Sequence, residues 1–380
     1  MSTTSKPKIL ICGVLPPPYF GHSVIYKMLM ASSFPASVRS RFLNMHFWSY
    51  QTNKKVTGGK IFKMVKYYLE YVATIIFWQP RYVLYNSSFY PMPFWKDFLF
   101  CATGIILGRR VVFHDLGQYV RELHDGLLPW RRALLKWLLR HAAGSIVMGE
   151  SVRQTYLGLM DDRRIFVVPG VVEDTMALDV EANRPGQGLL NVLYFSHMSR
   201  AKGIFVAFEA AAGILRDRLD VMVTFAGPIE NEEVAQRLEE LQRMYLGRVR
   251  YLGYVEDVRE RTAIFRGADV FMFTTLRDVF GLVLLHAMAE SLPIVASREG
   301  TIPEILPDER HGLLFTKGDS AALSAGILAL LGDEGRRRSM GAANRRRFEN
   351  IYRQELYGDY MTAAFRKLEG LCINPAVNAG

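Results

Sequence analysis

Short apolar runs rich in β-branched residues alternate with longer amphipathic segments along the whole chain. Ten of these runs have the length and composition of buried strands, namely 8–14, 83–86, 110–114, 145–149, 165–169, 191–195, 221–227, 248–253, 269–274 and 293–297. Segments with helical spacing, such as 203–216, 231–245 and 257–266, lie between them. Because strands that alternate with helices form parallel sheets, the pattern predicts an α/β protein.

The length of the chain favours two domains. A chain of 380 residues with 50% hydrophobic residues exceeds an ordinary single core. The polar segment 173–190 carries Pro-Gly punctuation without periodicity, and it predicts a linker between a domain at 1–172 and a second at 191–350. An amphipathic helical segment begins near residue 334, and residues 351–380 contain its last part and a tail. We expect two Rossmann-like, doubly wound domains that face each other across a cleft, with the linker as hinge.

The net positive charge of the chain lies in its first half. Residues 1–175 hold 22 Lys and Arg against 10 Asp and Glu, and the remaining residues hold 25 against 27. Two basic segments, 59–80 and 129–144, interleave the cations with aromatic and aliphatic side chains. Such segments are typical of helices in the headgroup region of anionic membranes, which makes an anionic membrane surface an expected partner. The alternative is that the apolar side chains pack on the sheet and the cations are simply solvated.

Cysteine usage and hydropathy indicate a reducing compartment. Cys12, Cys101 and Cys372 are widely spaced and odd in number, which argues against disulfides or a zinc cluster. The amino terminus lacks the apolar region of a signal peptide, and no run reaches the roughly 18–20 apolar residues of a membrane-spanning helix. We therefore expect a cytoplasmic protein, peripheral on the inner face of the membrane. Because no nucleic-acid-binding motif occurs, we expect no nucleic acid partner.

Loops at the carboxyl ends of the strands are the expected ligand sites of open parallel sheets. The loop after the first strand runs to Gly21 and can place a small residue beside a ligand, but it lacks the G-x-G-x-x-G pattern of a dinucleotide site. His114 ends the strand 110–114, where an imidazole can bind a sugar or a phosphate. The alternative for His114 is a histidine that satisfies buried loop groups.

A basic loop follows the strand 191–195. It carries His197, Arg200 and Lys202, and a helix starts at Gly203. Cations at a helix N-terminus can neutralise a diphosphate, which the helix dipole also favours. The alternative is a solvated basic loop.

The strand 269–274 is followed by an acid, a glycine and a helix that contains a histidine. Amides at Phe280, Gly281 and Leu282 suit phosphate oxygens, Asp278 can hold a sugar hydroxyl, and His286 can reach a ribose. The alternative is an acid that complements the helix dipole and a core histidine.

These segments, in this order, resemble the retaining glycosyltransferases of family 4, which have the GT-B fold. The matching stretches are VVPGVV at 167–172, SHMSRAKG at 196–203, FAGP at 225–228, YLGYVEDV at 251–258 and DVFGLVLLHAMAESLPIVASREGTIPEIL at 278–306. Among the departures from the family, three fall at expected ligand contacts. Its E-x7-E pair becomes Asp278 and His286, and His197 stands where the family has a phosphate-binding arginine, while the lysine is kept as Lys202.

The resemblance implies a hexosyltransferase-type reaction that retains anomeric configuration without a protein nucleophile. The diphosphate of a nucleotide sugar would lie on Lys202, Arg200 and the amides at 280–282, with Asp278 orienting the sugar and His114 facing it from the N-terminal, acceptor-side domain. On this resemblance the expected catalytic residues are His114, Asp278 and Lys202. The expected donor site also includes Gly21, His197 and His286. The last helix would cross back to that domain. A D-x-D motif is absent, so the resemblance implies no metal, and no cofactor beyond the nucleotide-sugar substrate.

The expected acceptor is a carbohydrate, a lipid-linked oligosaccharide or a glycolipid at the membrane surface, in polysaccharide or glycan biosynthesis. The departures at His197 and His286 leave an alternative open. In that alternative the chain is a catalytically degenerate GT-B protein that acts as a binding or scaffold subunit.

Overall fold

The computed structural model describes residues 6–17, 19, 21–46, 58–87, 89–90, 94–184, 186 and 188–373. The chain divides into two compact units. Unit 1 comprises the residues up to Val171 together with those from Gln354 onward, and unit 2 comprises Val172–Arg353. Each unit contains a parallel six-stranded sheet with helices packed on it.

The sheet of unit 1 has the strand order β2-β1-β3-β4-β5-β6. Its strands are β1 (Lys8–Gly13), β2 (Arg39–Asn44), β3 (Tyr82–Ser87), β4 (Arg110–Asp115), β5 (Gly144–Val147) and β6 (Ile165–Val167). Its helices are α1 (Gly21–Ala31), α2 (Phe34–Ser37), α3 (Gly58–Ala73), α4 (Phe94–Ile106), α5 (Val120–Gly126), α6 (Pro129–His141), α7 (Glu150–Thr155) and the C-terminal α15 (Tyr357–Ile373); a π-helical turn, Thr74–Trp78, follows α3.

The sheet of unit 2 has the strand order β12-β11-β10-β7-β8-β9. Its strands are β7 (Leu190–Phe195), β8 (Val221–Ala226), β9 (Val249–Tyr251), β10 (Val270–Phe273), β11 (Ile294–Ser297) and β12 (Leu313–Phe315). Its helices are α8 (Ile204–Asp217), α9 (Glu232–Met244), α10 (Val258–Arg266), α11 (Leu282–Ala289), α12 (Ile302–Ile305), α13 (Ser320–Leu331) and α14 (Glu334–Arg347).

Each strand order contains one switch point, where consecutive connections leave in opposite directions. In unit 1 the chain runs from β1 outward to β2 and returns on the other side at β3. In unit 2 it runs from β7 to β8 and β9 and returns on the other side at β10. The crevice at a switch point is the usual ligand site of a doubly wound sheet, so the β1/β3 and β7/β10 crevices are where a site is expected.

The predicted α/β architecture with parallel sheets is confirmed, and all ten predicted strands form. Two strands were missed. β2 is a polar edge strand with a single buried residue, Leu43, and β12 has only three residues, so neither carries the apolar run that identifies a buried strand.

The C-terminal segment is not one helix. α14 ends at Arg347, a π-helical turn covers Phe348–Tyr352, and α15 starts only at Tyr357. The interruption has a physical cause, because the backbone N–H of Val172 donates to the carbonyl of Tyr352 at 3.0 Å and thereby takes a carbonyl from the helical ladder. α15 packs in unit 1, where the ring of Phe365 lies 5.2 Å from that of Phe34.

The predicted linker is bound to unit 2 over its first half. Arg266, at the end of α10, pairs with Glu290 at 2.9 Å and also donates to backbone carbonyls. Those carbonyls belong to Thr175, Met176, Leu178 and Val180. Arg345 makes two bonds of 2.8 and 2.7 Å to the carboxylate of Asp174. Backbone carbonyls and the Asp174 carboxylate of this segment are therefore held by hydrogen bonds within unit 2, whereas a free tether would not be fixed in this way.

Candidate functional site

The loops after β7 and β10 are joined at the switch point of unit 2. The backbone N–H groups of Leu276 and Arg277 donate to the carbonyl of Ala201 at 3.0 and 3.1 Å. Gly203 ends the first loop with φ of 68°, and a Cβ there would lie 1.9 Å from the carbonyl oxygen of Thr274. Only glycine permits this approach, so the residue that opens α8 also brings the two loops together.

Lys202 and Asp278 meet where these loops touch. The ammonium Nζ lies 2.6 Å from Oδ2 of the carboxylate, although the residues are 76 positions apart in the chain. Asp278 Oδ1 accepts the N–H of Val279 at 2.8 Å, which fixes the carboxylate. Thr301 holds the loop from behind by donating to the carbonyl of Val279 at 2.9 Å. Two of the three residues predicted to be catalytic thus form one part-buried ion pair.

The N-terminus of α11 lies on the same loop as Asp278. Gly281 has φ of 67° and directly precedes the helix, whose first-turn N–H groups have no intrahelical acceptor. The side chain of Phe280 is buried and its ring lies 6.3 Å from that of Tyr352. Backbone amides at 280–282 can therefore contact a ligand, whereas the Phe280 side chain belongs to the core and Leu282 is part-buried.

His197 and Arg200 lie on the loop after β7 but differ in orientation. His197 is part-buried; burial lowers its pKa, the carboxylate of Glu230 opposes this, and the charge of Lys202 adds to the lowering. The guanidinium of Arg200 is bonded to Glu233 at 2.8 Å in an exposed ion pair. In the unliganded protein the side chain of Arg200 is therefore held by an acid on α9, and its place in the diphosphate site stays a prediction.

His286 lies on the second turn of α11 beside α10. Its ring centroid is 6.2 Å from that of Phe265. Burial lowers the pKa of His286 well below its ordinary value, and the positive charge of Arg261 lowers it further. The imidazole is therefore neutral at physiological pH, and it can make one hydrogen bond to a ribose where a carboxylate could accept two.

His114, predicted to face a sugar, is enclosed in unit 1. Its Nδ1 lies 3.2 Å from the hydroxyl of Tyr26, and its Nε2 lies 3.2 Å from the hydroxyl of Tyr357. Burial, and secondarily the charge of His22, lowers the pKa of His114 to about 3. This geometry corresponds to the structural alternative, because both ring nitrogens are already occupied and the side chain is 2% exposed. A direct sugar contact by His114 stays a prediction, and it requires one of these two hydroxyls to move.

Gly21 begins α1 and is exposed, and a Cβ added there would meet no atom within 4 Å. Unlike Gly203, it has no local requirement for glycine. The structure therefore gives no reason to assign Gly21 to the donor site.

A polar cluster that sequence reasoning missed lies at the switch point of unit 1. Lys96 Nζ is 2.6 Å from Asp97 Oδ1, and the hydroxyl of Tyr85 donates to the same oxygen at 3.0 Å. The side chain of His22 lies beside that of Asn86. Asn86 lies on β3, and Lys96 and Asp97 lie on the helix that follows it. Polar residues in this position are expected at a switch point. Without β2, however, the sequence did not show that a switch point lies between β1 and β3, because it exists only when β1 has a neighbour on its other side.

Two absences hold for the residues that the structure describes. Within those ranges, no group of three or more His, Cys, Asp or Glu side chains could hold a metal ion. Over the same ranges, no helix is long and apolar enough to cross a membrane.

The fold is that of GT-B glycosyltransferases. Sucrose-phosphate synthase from Thermosynechococcus elongatus superposes with a TM-score of 0.70 over 96% of this chain and 100% of that chain, at 18% identity. Anabaena HepE in complex with UDP superposes with a TM-score of 0.69 over 95% of this chain and 99% of that chain, at 15% identity.

Residues 190–333, which lie within unit 2, match the family described as glycosyl transferases group 1. The chain is 30% identical over 262 residues to alpha-maltose-1-phosphate synthase of Mycolicibacterium smegmatis, covering 59% of this chain and 65% of that protein. It is 27% identical over 207 residues to phosphatidyl-myo-inositol mannosyltransferase of Mycobacterium leprae, covering 54% and 52%. The chain thus spans about half the length of the curated relatives it matches.

Proposed function

We propose that the protein is a retaining glycosyltransferase of the hexosyl type that takes a sugar from a nucleotide-sugar donor bound to unit 2. The observation that carries this proposal is the Lys202–Asp278 pair beside the N-terminus of α11 at the β7/β10 switch point. The family match of residues 190–333 supports it, as does the UDP complex of the structural neighbour HepE.

The proposed chemistry needs a cation where the donor's diphosphate departs. The bond between the sugar's anomeric carbon and the phosphate oxygen breaks while the oxygen of an acceptor hydroxyl bonds on the same face, and the hydroxyl proton passes to the departing diphosphate. Negative charge then gathers on the diphosphate. Lys202 and the amides at 280–282 are preorganised stabilisers of that charge, and they act more strongly in a site from which the donor excludes water.

Donor binding exchanges the partners of this ion pair. In the unliganded protein Lys202 is bonded to Asp278. A diphosphate offers Lys202 a stronger, doubly charged partner, which releases one oxygen of Asp278 for a sugar hydroxyl. His286, being neutral, makes a single bond to the ribose. Arg200 joins only if its pair with Glu233 opens, at little cost because that pair is exposed.

The reaction as proposed requires no divalent ion, because Lys202 and the helix N-terminus take the role that a metal plays elsewhere. We expect turnover in the presence of EDTA to match turnover with added Mg²⁺. A requirement for Mg²⁺ or Mn²⁺ would contradict this part of the mechanism.

The first test is calorimetric titration of UDP, GDP, ADP and CMP into the wild type, Lys202→Ala and His286→Ala. One nucleotide is expected to bind saturably and to bind less tightly to both variants. Arg237→Ala, which removes an exposed ion pair on α9, is the matched control and should bind like the wild type. If none of the four binds to a folded, monodisperse protein, the scaffold alternative replaces the enzyme.

The acceptor is proposed to be membrane-bound, because one face of unit 1 combines exposed apolar side chains with cations. On α3 and the following π-helical turn, apolar residues recur at a spacing of about four and point outward. They are Ile61, Phe62, Val65, Leu69, Ile76 and Phe77, with exposures from 45% for Val65 to 86% for Phe77. Lys63 and Lys66 lie exposed among them. A stripe of this kind matches a helix that lies in the membrane interface.

Helices α4 and α6 extend the same kind of surface. The rings of Trp95 and Trp130 lie 5.7 Å apart, both exposed, with Arg131 stacked 5.2 and 5.0 Å from their centroids. Part of the predicted amphipathic pattern is internal, because Leu135 and Leu138 of α6 are buried. Tryptophan and arginine together suit the boundary between headgroups and acyl chains, so we assign this surface to an anionic inner leaflet.

Vesicle flotation tests the membrane assignment. The wild type is expected to float with vesicles containing anionic lipid at low salt, and Phe62→Glu with Phe77→Glu should abolish flotation. Leu246→Glu, at an equally exposed apolar position in unit 2, is the control. Flotation that the double variant leaves intact would place the contact elsewhere, and the absence of flotation by the wild type would remove the membrane from the proposal.

A further inference from the structure

A pocket of about 330 Å³ lies at the end of the unit 2 sheet that is opposite the loops after β7 and β10. It is formed where α10 leads into β10 and where α11 leads into β11, and the start of α14 completes it. The Lys202–Asp278 pair lies beyond the carboxyl ends of the strands. Because β10 has four residues of about 3.3 Å each, roughly 13 Å or more separates the two places. The pocket is therefore not part of the proposed donor site.

The charged side chains of this pocket leave one arginine without an acid. Each of the three acids in the lining is paired with an arginine of the same lining. The pairs are Asp269 with Arg184 at 3.6 Å, Glu290 with Arg266 at 2.9 Å and Glu334 with Arg338 at 2.5 Å. A fourth arginine, Arg337, has no carboxylate partner among the residues that the structure describes. The lining thus carries one net positive charge, whereas the lysine of the proposed donor site is paired with an acid.

The part of Arg337 that has no partner is the part that binds phosphate. Its Nη1 donates to the carbonyls of Leu330 and Leu331 at 2.7 and 2.9 Å, which caps the carboxyl end of α13. Within the described ranges, Nε and Nη2 of this part-buried residue have no acceptor. These two nitrogens point their N–H groups in parallel from one edge of the guanidinium, and such an edge binds a phosphate through two hydrogen bonds. Capping therefore explains Nη1 and leaves the other edge available to a ligand.

Ser291 supplies a second, independent observation. It follows α11 with φ of 59°, a left-handed conformation that glycine adopts at less steric cost. The residue lines the pocket, and over the described part of the chain its hydroxyl makes no hydrogen bond. Backbone outliers of this kind cluster at ligand sites. A side chain at a position that favours glycine, with its hydroxyl unused, indicates a ligand contact in the same pocket as the open edge of Arg337.

We propose that this pocket binds a small phosphate monoester, such as a sugar phosphate, through Arg337 and Ser291. A monoester carries a charge of about −1.5 to −2 at pH 7, and Arg337 supplies the first compensating charge. The guanidinium groups of Arg184 and Arg338 are exposed, so they can turn to the second charge at little cost. The volume is at the lower end of small-molecule pockets, which favours a ligand no larger than a sugar phosphate.

The proposal goes beyond the proposed function, because a ligand in this pocket is remote from the reacting atoms. It would be an effector of the protein, and the donor's diphosphate would remain at the other end of the sheet. α11 connects the two places, since its N-terminus lies beside Asp278 and Ser291 follows its last turn.

Isothermal titration calorimetry with the full-length protein tests the site. The probes are inorganic phosphate, glycerol 3-phosphate and glucose 6-phosphate, with glucose as the neutral probe. At least one phosphate probe is expected to bind, and glucose is not. The affinity for that probe should fall about tenfold or more in Arg337→Gln, as expected for the loss of charge-assisted hydrogen bonds. It should be unchanged in Lys202→Ala.

Ser291→Gly is the second variant, because glycine suits φ of 59° and the protein should stay folded even if Arg337→Gln does not. It should bind the phosphate probe about fivefold more weakly, owing to the loss of one hydrogen bond. Arg243→Gln, which removes an exposed ion pair on α9, is the matched control and should bind like the wild type.

The proposal is overturned if no phosphate probe binds the wild type, if glucose binds as tightly as its phosphate, or if Arg337→Gln and Ser291→Gly keep wild-type affinity. Loss of binding in Lys202→Ala alone would also overturn it, because the probe would then occupy the proposed donor site. Nucleotide calorimetry on the same samples separates the two proposals. Normal nucleotide binding leaves the glycosyltransferase proposal standing whatever the phosphate probes show.

Discussion

The two switch points of this protein share a crossover topology and each holds a Lys–Asp ion pair at 2.6 Å, but they differ in what surrounds the pair. At β7/β10, a cation, an acid and the positive end of a helix converge on an open loop pair built on Gly203 and Gly281. At β1/β3, a buried ion pair and neutral polar groups form a balanced cluster. Local sequence alone does not determine where either switch point lies, because each arises from the order in which the strands pair.

The difference teaches what each crevice can stabilise. A site that receives departing phosphate needs positive charge that is available when the bond breaks, and an ion pair that can exchange partners supplies it. A site that receives a neutral hydroxyl gains nothing from free charge, and fixed hydrogen-bonding groups suit it better. The ion pair and helix N-terminus of unit 2 therefore suit the charged step of the proposed reaction, whereas unit 1 offers a set of fixed hydrogen-bonding groups.

The strongest way to break this comparison is to remove the lysine from each switch point. Lys202→Met is expected to lower kcat for release of nucleoside diphosphate by about 100- to 1,000-fold, as loss of a preorganised stabiliser does elsewhere. Lys96→Met should instead lower the free energy of unfolding by about 3 kcal/mol, because the buried carboxylate of Asp97 loses its cation and keeps the neutral hydroxyl of Tyr85 as donor. Turnover assays and urea denaturation measure the two effects, and a Lys202→Met enzyme with normal kcat would remove the basis of the comparison.

Glycines in corresponding loops give a second, smaller contrast. Gly203→Ala should destabilise the protein by roughly 1–3 kcal/mol or more, since its Cβ would lie 1.9 Å from a carbonyl oxygen and its φ is 68°. Gly21→Ala should be neutral or stabilise by up to about 1 kcal/mol, because the position is open and the substitution reduces unfolded-state entropy. Equal effects on the urea midpoint would show that the close loop contact in unit 2 is not maintained in solution.

The pH dependence of stability sharpens the picture of unit 1. His114 has a folded-state pKa of about 3, below the ordinary 6.5, so the folded state binds fewer protons than the unfolded state between these values. The contribution is present above pH 6.5 and is lost as the pH falls towards 3. From pH 7 to pH 5 this residue should account for a loss of about 2 kcal/mol. Denaturant unfolding at both pH values, with His114→Asn as the variant without this titration, measures it; an identical pH slope in both proteins would contradict the burial of His114.

Much of the fold was predictable, and so were the backbone features of the candidate site. Buried parallel strands are apolar runs, so nearly all strands of both sheets were identifiable, and the position of Gly281 directly before a helix was readable from the sequence. β2 was missed because an edge strand with one buried residue has no such run. Its absence also hid the switch point of unit 1, and with it the cluster around Asn86.

The side-chain roles were harder to predict than the loops that carry them. The motif placed Lys202, Asp278 and Arg200 together, yet the folded chain pairs Lys202 with Asp278 and turns Arg200 to Glu233. His114 occupies the predicted strand end, but Tyr26 and Tyr357 take both of its nitrogens. Tyr357 is 243 positions away, and no local pattern indicates that it reaches this strand.

The sequence by itself determined the periodicities, the turns that need glycine and the charge division between the halves, because these depend on neighbours within a few residues. The tertiary structure decided which charges are paired, which histidines are neutral and where the two crevices open. These properties follow from strand order and burial, which bring together residues tens to hundreds of positions apart and set the local dielectric around them.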